Sequence, residues 1–343
     1  MHKRLRAGRF IAFLVAAVAV LAVAAAQSAN SKVTAIAIAA PDKANNLGWD
    51  QQGVDSARRA ARATGVSSVD VADGIGYENT ESVLRQLAQK HPGLIIAQAS
   101  GFNTIAPRIA EQFKVPVITY DNPKGLKKGL VADISTTSQQ GAYLAGILAG
   151  KLTTTGTIGV VLSAADTNWY KQTGGYIAGA RSVNPDVKIR LATIGQAGYG
   201  DAAGGKRVTQ SVIAAGADII FGMGDGSSFG MLQAVQTAKK PYKVWFIDVI
   251  GDKSKIYKKG VLLSSVIWDF TQVFKQAIFD INNGKYGTHN YNLGVKNGIH
   301  LLKTKFIPAD VWALTQQASK GIISGNVTIP LTPDKAAVDK LLK

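Results

Sequence analysis

The chain has 343 residues, 46% of them hydrophobic, 18% charged and none of them cysteine. That is ample apolar material for a sizeable core divided over two domains, and it excludes a disordered chain or one held by disulfides or thiolate metal sites. The formal charge of +17 comes from lysines scattered over turns and helix ends, such as Lys239-Lys240 and Lys258-Lys259, with no aromatic-basic ladder; it reads as a solvated surface, and no nucleic-acid partner is expected.

Lys3, Arg4, Arg6 and Arg9 lead into an apolar run over residues 10–26 that ends in Ala24-Ala25-Ala26. A charged region, an apolar region and a small-residue cleavage site make a secretory signal peptide, so residues 1–26 are expected to be removed on export. The rival is a retained anchor, because the run stands at the lower edge of spanning length. Without a cysteine there is no attachment point for a lipid beside the leader, so a soluble periplasmic protein is the expectation.

After the leader the chain repeats one rhythm, a short β-branched run and then a helical stretch. Strands are expected at 33–39, 68–72, 94–98 and 115–120, with helices at 49–63, 78–89 and near 105–112. A long apolar helix at 138–151 opens a second series, with strands at 158–162, 189–194, 219–222 and 244–247 and helices near 170–183, 202–215 and 229–237. Strand-helix alternation of this kind argues for parallel sheets covered on both faces. The expected architecture is α/β with two lobes, the first over 32–135 with late segments near 264–302 returning to it, the second over 136–263. Residues 303–343 are left unassigned.

Open α/β sheets bind ligands at the carboxyl ends of their strands. In the first lobe those ends carry Asp42, Ser100 with Phe102, and Asp121. In the second they carry the stretch 163–169, Gly224 and Gly226 in a glycine-rich turn, and Asp248. Strand ends and helix caps favour small polar residues in any case, so each is a candidate only as a member of the set. Trp49 and Trp169 open helices after strand-end loops, where an aromatic ring could cover a flat ligand; Trp268 ends the run 264–267 and could face the cleft or pack at an edge.

Several chemistries lack their motifs. No G-x-G-x-x-G follows the first strand, the turn at 222–226 lacks the Lys-Ser/Thr of a phosphate loop, and no G-x-S-x-G elbow is present, so no cofactor is expected. The four histidines, His2, His91, His289 and His300, are widely spaced, and no metal site is expected. Asp42, Asp121 and Asp248 could converge as paired acids of a hydrolase, or equally serve as hydrogen-bond acceptors for ligand hydroxyl and amino groups.

Asp42-Lys43 with Asn46, the run Tyr143 through Gly150 before Ile158-Gly159-Val160, and the weaker stretches at 175–180 and 216–220 together resemble the basic-membrane-protein family of ABC-transporter substrate-binding proteins, which includes the purine-nucleoside receptors. The likeness spans residues 33–302. It implies a two-lobed clamp of the type I periplasmic binding fold that acts without catalysis, as a monomer, capturing a small molecule such as a purine or nucleoside and delivering it to an ABC permease in the inner membrane. It also implies that Asp42 and Asn46 hold the ligand from the first strand-end loop, that Asp121 accepts from a sugar hydroxyl, that Trp169 stacks on a base, that Asp248 is a second-lobe contact, and that Gly224 and Gly226 let the backbone approach. Two departures stand out. Asn45 replaces the family's stacking aromatic, with Trp49 positioned to restore that face, and Trp268 stands where the family carries a lysine. The competing expectations are a secreted glycoside or nucleoside hydrolase using paired aspartates, and a ligand-sensing receptor for a membrane kinase.

Overall fold

The computed structural model describes residues 32–256 and 260–343; the expected leader, residues 1–26, lies outside the described residues. Ala35–Ala40 (β1) is buried along its length, as a strand covered on both faces must be. The helix Trp49–Thr64 (α1) follows. It buries Gly53, Val54, Ala57, Ala60 and Ala61 at helical spacing and stops at Gly65, whose φ of 75° lies in the left-handed region that glycine enters without a Cβ penalty.

The same alternation continues through Ser68–Asp73 (β2), Thr80–Gln89 (α2), Leu94–Ala97 (β3), Ile105–Phe113 (α3), Val117–Tyr120 (β4) and Val131–Thr136 (β5). β5 was not among the expected strands. Its sequence VADIST is interrupted by Asp133, which is fully buried and accepts hydrogen bonds from the Thr119 hydroxyl at 2.8 Å and the Asn122 backbone N–H at 2.9 Å. Partners on a neighbouring strand are what allow a carboxylate to sit inside a core strand.

Ser138–Leu152 (α4) crosses to the second lobe, which is built from Thr157–Leu162 (β6), Thr167–Val183 (α5), Lys188–Thr193 (β7), Ala202–Ala214 (α6), Ile219–Met223 (β8), Ser227–Gln236 (α7), Trp245–Ile250 (β9) and Leu262–Trp268 (β10). The chain then runs through Thr271–Asn282 (α8), Tyr291–Leu293 (β11), Ile299–Leu301 (β12), Ala309–Ser324 (α9) and Lys335–Leu342 (α10).

Two six-stranded sheets result, ordered β11-β5-β4-β3-β1-β2 and β12-β10-β9-β8-β6-β7. Every pairing is parallel except that of β12 with β10. Of residues 264–302, expected to return to the first lobe, α8 and β11 do so, while β10 and β12 stay with the second sheet. The reason lies in β10 itself: all seven of its residues are buried, which demands a place between two strands. The unassigned residues 303–343 join the second lobe, α9 against α4 and α10 against α5.

α4 and α5 touch backbone to backbone. A Cβ on Gly146 would lie 2.1 Å from the Tyr176 carbonyl oxygen, one on Gly175 2.2 Å from that of Gln139, and one on Gly179 2.0 Å from that of Tyr143. Gly146, Gly150, Gly175 and Gly179, from the stretches that resemble the substrate-binding family, are thus the contact surface of this helix pair, set back from the strand ends. Asp218, in another of those stretches, is also structural. It accepts from the backbone N–H groups of Thr154 and Thr155 and from the hydroxyls of Thr153 and Thr154.

Candidate functional site

The carboxyl ends of β1, β3 and β4 face those of β6, β8, β9 and β10 across a cavity of about 370 Å³. A larger hollow of about 550 Å³ lies between α4, α5 and α9, away from the strand ends and with no acid in its lining. Convergent polar groups, the mark of a specific small-molecule site, occur in the first of these.

On the first-lobe side, Pro41 and Asp42 leave β1, and the Asp42 backbone N–H donates to Asp50 at 3.0 Å. Asn46 braces this loop from beneath: its amide donates to Asp50 at 2.8 Å and its oxygen accepts from the Gly48 N–H at 3.0 Å. Asn46 is therefore engaged with its own loop, and Asn45 is exposed outside the cavity lining. Trp49 does line the cavity, but within an aromatic wall, its ring meeting Tyr120, Phe270 and Trp268 edge to face at 5.1, 5.3 and 6.0 Å. Its indole N–H donates to the Gln98 carbonyl at 2.6 Å. Ser100 and Asp121 meet at the floor, hydroxyl to carboxylate at 2.6 Å. Phe102, next to them in sequence, turns away into the first-lobe core with no exposed surface.

The second-lobe side begins with Asp166, which caps α5 by accepting from the backbone N–H groups of Asn168 at 2.7 Å and Trp169 at 3.3 Å, and which also accepts from the Tyr199 hydroxyl at 3.1 Å. Trp169 lines the cavity with 5% of its surface exposed, its indole N–H fixed on Ser163 at 2.9 Å. Gly224 and Gly226 flank the lining residue Asp225 without lining the cavity themselves. A Cβ on Gly224 would meet the Ser227 hydroxyl at 2.1 Å, so this glycine serves the tight turn. Asp248 is likewise absent from the lining. Fully buried beneath the strand ends, it pairs with the equally buried Lys253 at 2.9 Å and accepts from Ser228 at 3.0 Å. Trp268 closes the cavity at the end of β10, 2% exposed, and its indole N–H has no acceptor among the described residues.

Six of the twelve residues singled out from sequence thus line one cavity: Asp42, Trp49, Ser100, Asp121, Trp169 and Trp268. Asn45, Asn46, Phe102, Gly224, Gly226 and Asp248 lie beside or beneath it. Asp50, Tyr77 and Tyr199, which also line it, were missed by sequence reasoning; Asp166 and Asn168 fall in the strand-end stretch 163–169 and Asp225 in the glycine-rich turn, but these and the strand-end Ile250 were not singled out individually. Tyr77 comes from the turn after β2 and Tyr199 from the loop after β7, connections with no motif to mark them.

The lobes already touch around the cavity. Asp225 of the second accepts the Trp49 backbone N–H of the first at 3.2 Å, and the Asn168 amide reaches Asp121 at 3.5 Å. Gly251, after β9, lies so close to the first lobe that a Cβ on it would be 2.0 Å from the Leu47 carbonyl oxygen. Asp121 and Ile250, both lining residues, hold positive φ angles of 58° and 69°; for a β-branched residue this is a costly conformation of the kind that concentrates at binding sites.

Three of the lining acids, Asp50, Asp121 and Asp225, are held against their ionised form. Burial, reinforced by the negative charges of Asp225 and Asp42, pushes Asp50 up to about 6 despite the hydrogen bonds from Asp42 and Asn46. Asp225 is raised by burial and further by Asp42 and Asp248, with the Trp49 N–H and Lys253 opposing. Asp121 is raised by burial and by Asp166, with Ser100, Lys171 and Asn168 opposing. Among the described residues no cluster of three or more acids and histidines is placed to hold a metal ion.

Comparison with known proteins adds family and fold. The family model described as ABC transporter substrate-binding protein PnrA-like matches residues 33–330. Over 216 residues, 58% of this chain, the sequence is 30% identical to the ABC transporter nucleoside-binding protein BmpA of Lactococcus lactis, and it spans 60% of that curated relative's length. A solved ABC-transporter solute-binding protein from Conexibacter woesei superimposes with a TM-score of 0.73 at 19% identity, covering 88% of this chain and all of that one. Another from Aeropyrum pernix gives 0.72 at 19% identity, over 89% of this chain and 95% of that one. At such identities the two structures speak to the fold, a pair of α/β lobes around parallel sheets.

Proposed function

The chain belongs to the PnrA-like family of ABC transporter substrate-binding proteins, and on that premise we propose that it is an exported solute-binding protein. It captures one small, flat molecule between its lobes and presents it to an ABC permease. The observation that carries this reading is the cavity at the facing strand ends, bridged from lobe to lobe by Asp225 on the Trp49 N–H. Ligand contacts made from both sides favour the closed arrangement over an open one, which is how such a clamp reports its load. One chain supplies both sides of the cavity, so a monomer suffices. Export by cleavage of residues 1–26 belongs to the same proposal.

The cargo in this reading is of the purine-nucleoside class. Trp169 offers an aromatic side chain, Asp42 and Asp121 offer acceptors for hydroxyl groups, and the Lactococcus relative carries nucleoside binding in its name. The carboxylates act as acceptors and do no acid-base work, in keeping with a family of binding components. Native mass spectrometry of protein purified without added ligand tests the proposal: a retained purine base or nucleoside is expected. A different retained mass overturns the cargo class and keeps the capture role, while a chain that hydrolyses nucleosides is an enzyme and the proposal fails.

A further inference from the structure

Among the described residues, five carboxylates line the cavity, from Asp42, Asp50, Asp121, Asp166 and Asp225, and no Lys, Arg or His does. Two positive charges act on these acids from outside the described lining. Lys253 is bound up with Asp248, and Lys171 approaches Asp121 from beyond the lining. Four of the donors that line the cavity already serve the protein: the Ser100 hydroxyl is on Asp121, the Tyr199 hydroxyl on Asp166, and the indoles of Trp49 and Trp169 on Gln98 and Ser163. Of the three indoles, that of Trp268 alone has no acceptor among the described residues, and its ring is 2% exposed. A buried donor without a partner costs free energy until something supplies one.

From this arrangement we infer that the cargo is a planar molecule carrying a positive charge, which faces the carboxylates, and an acceptor atom, which takes the Trp268 N–H. The inference rests on the capture reading of the same cavity and narrows it. A neutral nucleoside satisfies acceptors through its hydroxyl and amino groups but leaves the negative potential in place. A delocalised cation removes the mutual repulsion of the acids and gains from the aromatic walls. A metal ion would not serve, because the acids are spread around the cavity and do not converge on one point.

Two matched pairs of probes separate charge from shape: adenosine against 1-methyladenosine, which is cationic at neutral pH, and benzamide against benzamidine. Isothermal titration at pH 7.5 in low salt is expected to show the cation of at least one pair binding tenfold or more tighter than its neutral partner. Raising the salt to about 0.5 M should shrink that gap, as screening requires. The Asp42→Asn variant, altered at an exposed lining position, should narrow the preference severalfold while the protein's melting midpoint stays put. If the neutral member binds as well as or better than the cation in both pairs, the charge inference is overturned and the capture reading stands. If no probe binds to a protein shown to be folded, both fall.

Discussion

Trp169 illustrates how one residue can serve both core and cleft. Its ring is almost wholly buried and its N–H is fixed on Ser163, yet the residue lines the cavity. Trp169→Ala is therefore expected to lower stability by about 3 kcal/mol or more and to weaken ligand binding at least tenfold, whereas Trp169→Phe should keep affinity within a fewfold. Calorimetry paired with titration separates the two effects, and unchanged affinity in the alanine variant would remove the ring from the site. Asp121→Asn keeps an oxygen acceptor for Ser100 and removes the charge. It should weaken hydroxyl-bearing ligands about tenfold, and intact binding of all of them would end that role for Asp121.

Asp50 also makes a pH prediction at this scale. Its acid dissociates near 6 in the folded protein and near 3.9 when unfolded. Between about pH 4 and 6 the folded state holds a proton the unfolded chain has released, so this group's contribution falls as pH rises through that window. Asp121, Asp133 and Asp225 are raised as well and act with the same sign. Acids held low, such as Asp73 and Asp269, act oppositely, but below about pH 4. The ligand-free protein should melt higher at pH 5 than at pH 7 in scanning calorimetry, and Asp50→Asn should flatten the slope. A midpoint that falls on acidification over this range would contradict the account.

At the scale of elements, the α4–α5 crossing is a demanding contact. Helices normally pack 8–10 Å apart through side chains; here the glycines put backbone against backbone. A methyl group at Gly179 would sit 2.0 Å from the Tyr143 carbonyl oxygen, and neither helix can yield, since α4 also carries α9 and bears on β10 and β12. Gly179→Ala is expected to cost about 2 kcal/mol or more as an overpacking change, visible as a lower denaturant midpoint, with affinity unchanged in protein that remains folded. The loop after β1 works differently. Asn46 and Asp50, four residues apart, lock to each other, so the loop that presents Asp42 is preformed before any ligand arrives.

For the whole molecule the decisive question is how the lobes meet. Three connections join them: α4, the passage through α8 to β11, and the short step from β11 to β12. Closure brings Gly251 against Leu47 with no room for a side chain. Gly251→Ala should therefore hold the lobes apart, lowering affinity tenfold or more while the ligand-free melting midpoint changes little. Wild-type affinity in this variant would mean that binding does not require the approach seen between these two loops.

The repeating order of strand and helix, the two lobes and the family were all legible in the amino-acid sequence, because they depend on local signals: buried β-branched runs, helical spacing of apolar residues and glycines at fixed positions. β5 escaped because Asp133 breaks its apolar run and is stabilised by partners on another strand. The membership of the cleft was half legible. The chain order marks strand ends, but a strand end does not say whether its side chain enters the cavity or the layer beneath. Asp225 follows the end of β8, whereas Asp248 lies inside the neighbouring β9, which runs on to Ile250, and only the folded chain sends the first to the cavity and the second to Lys253. Tyr77 and Tyr199 reach the site from connections of opposite lobes, joined by an apposition that no window of sequence contains. Local patterning determined the elements and their class. Which acids crowd together, which indole N–H goes without an acceptor, and hence what charge the cavity favours, were decided by tertiary structure, because burial and electrostatic coupling act across space between residues far apart in the chain.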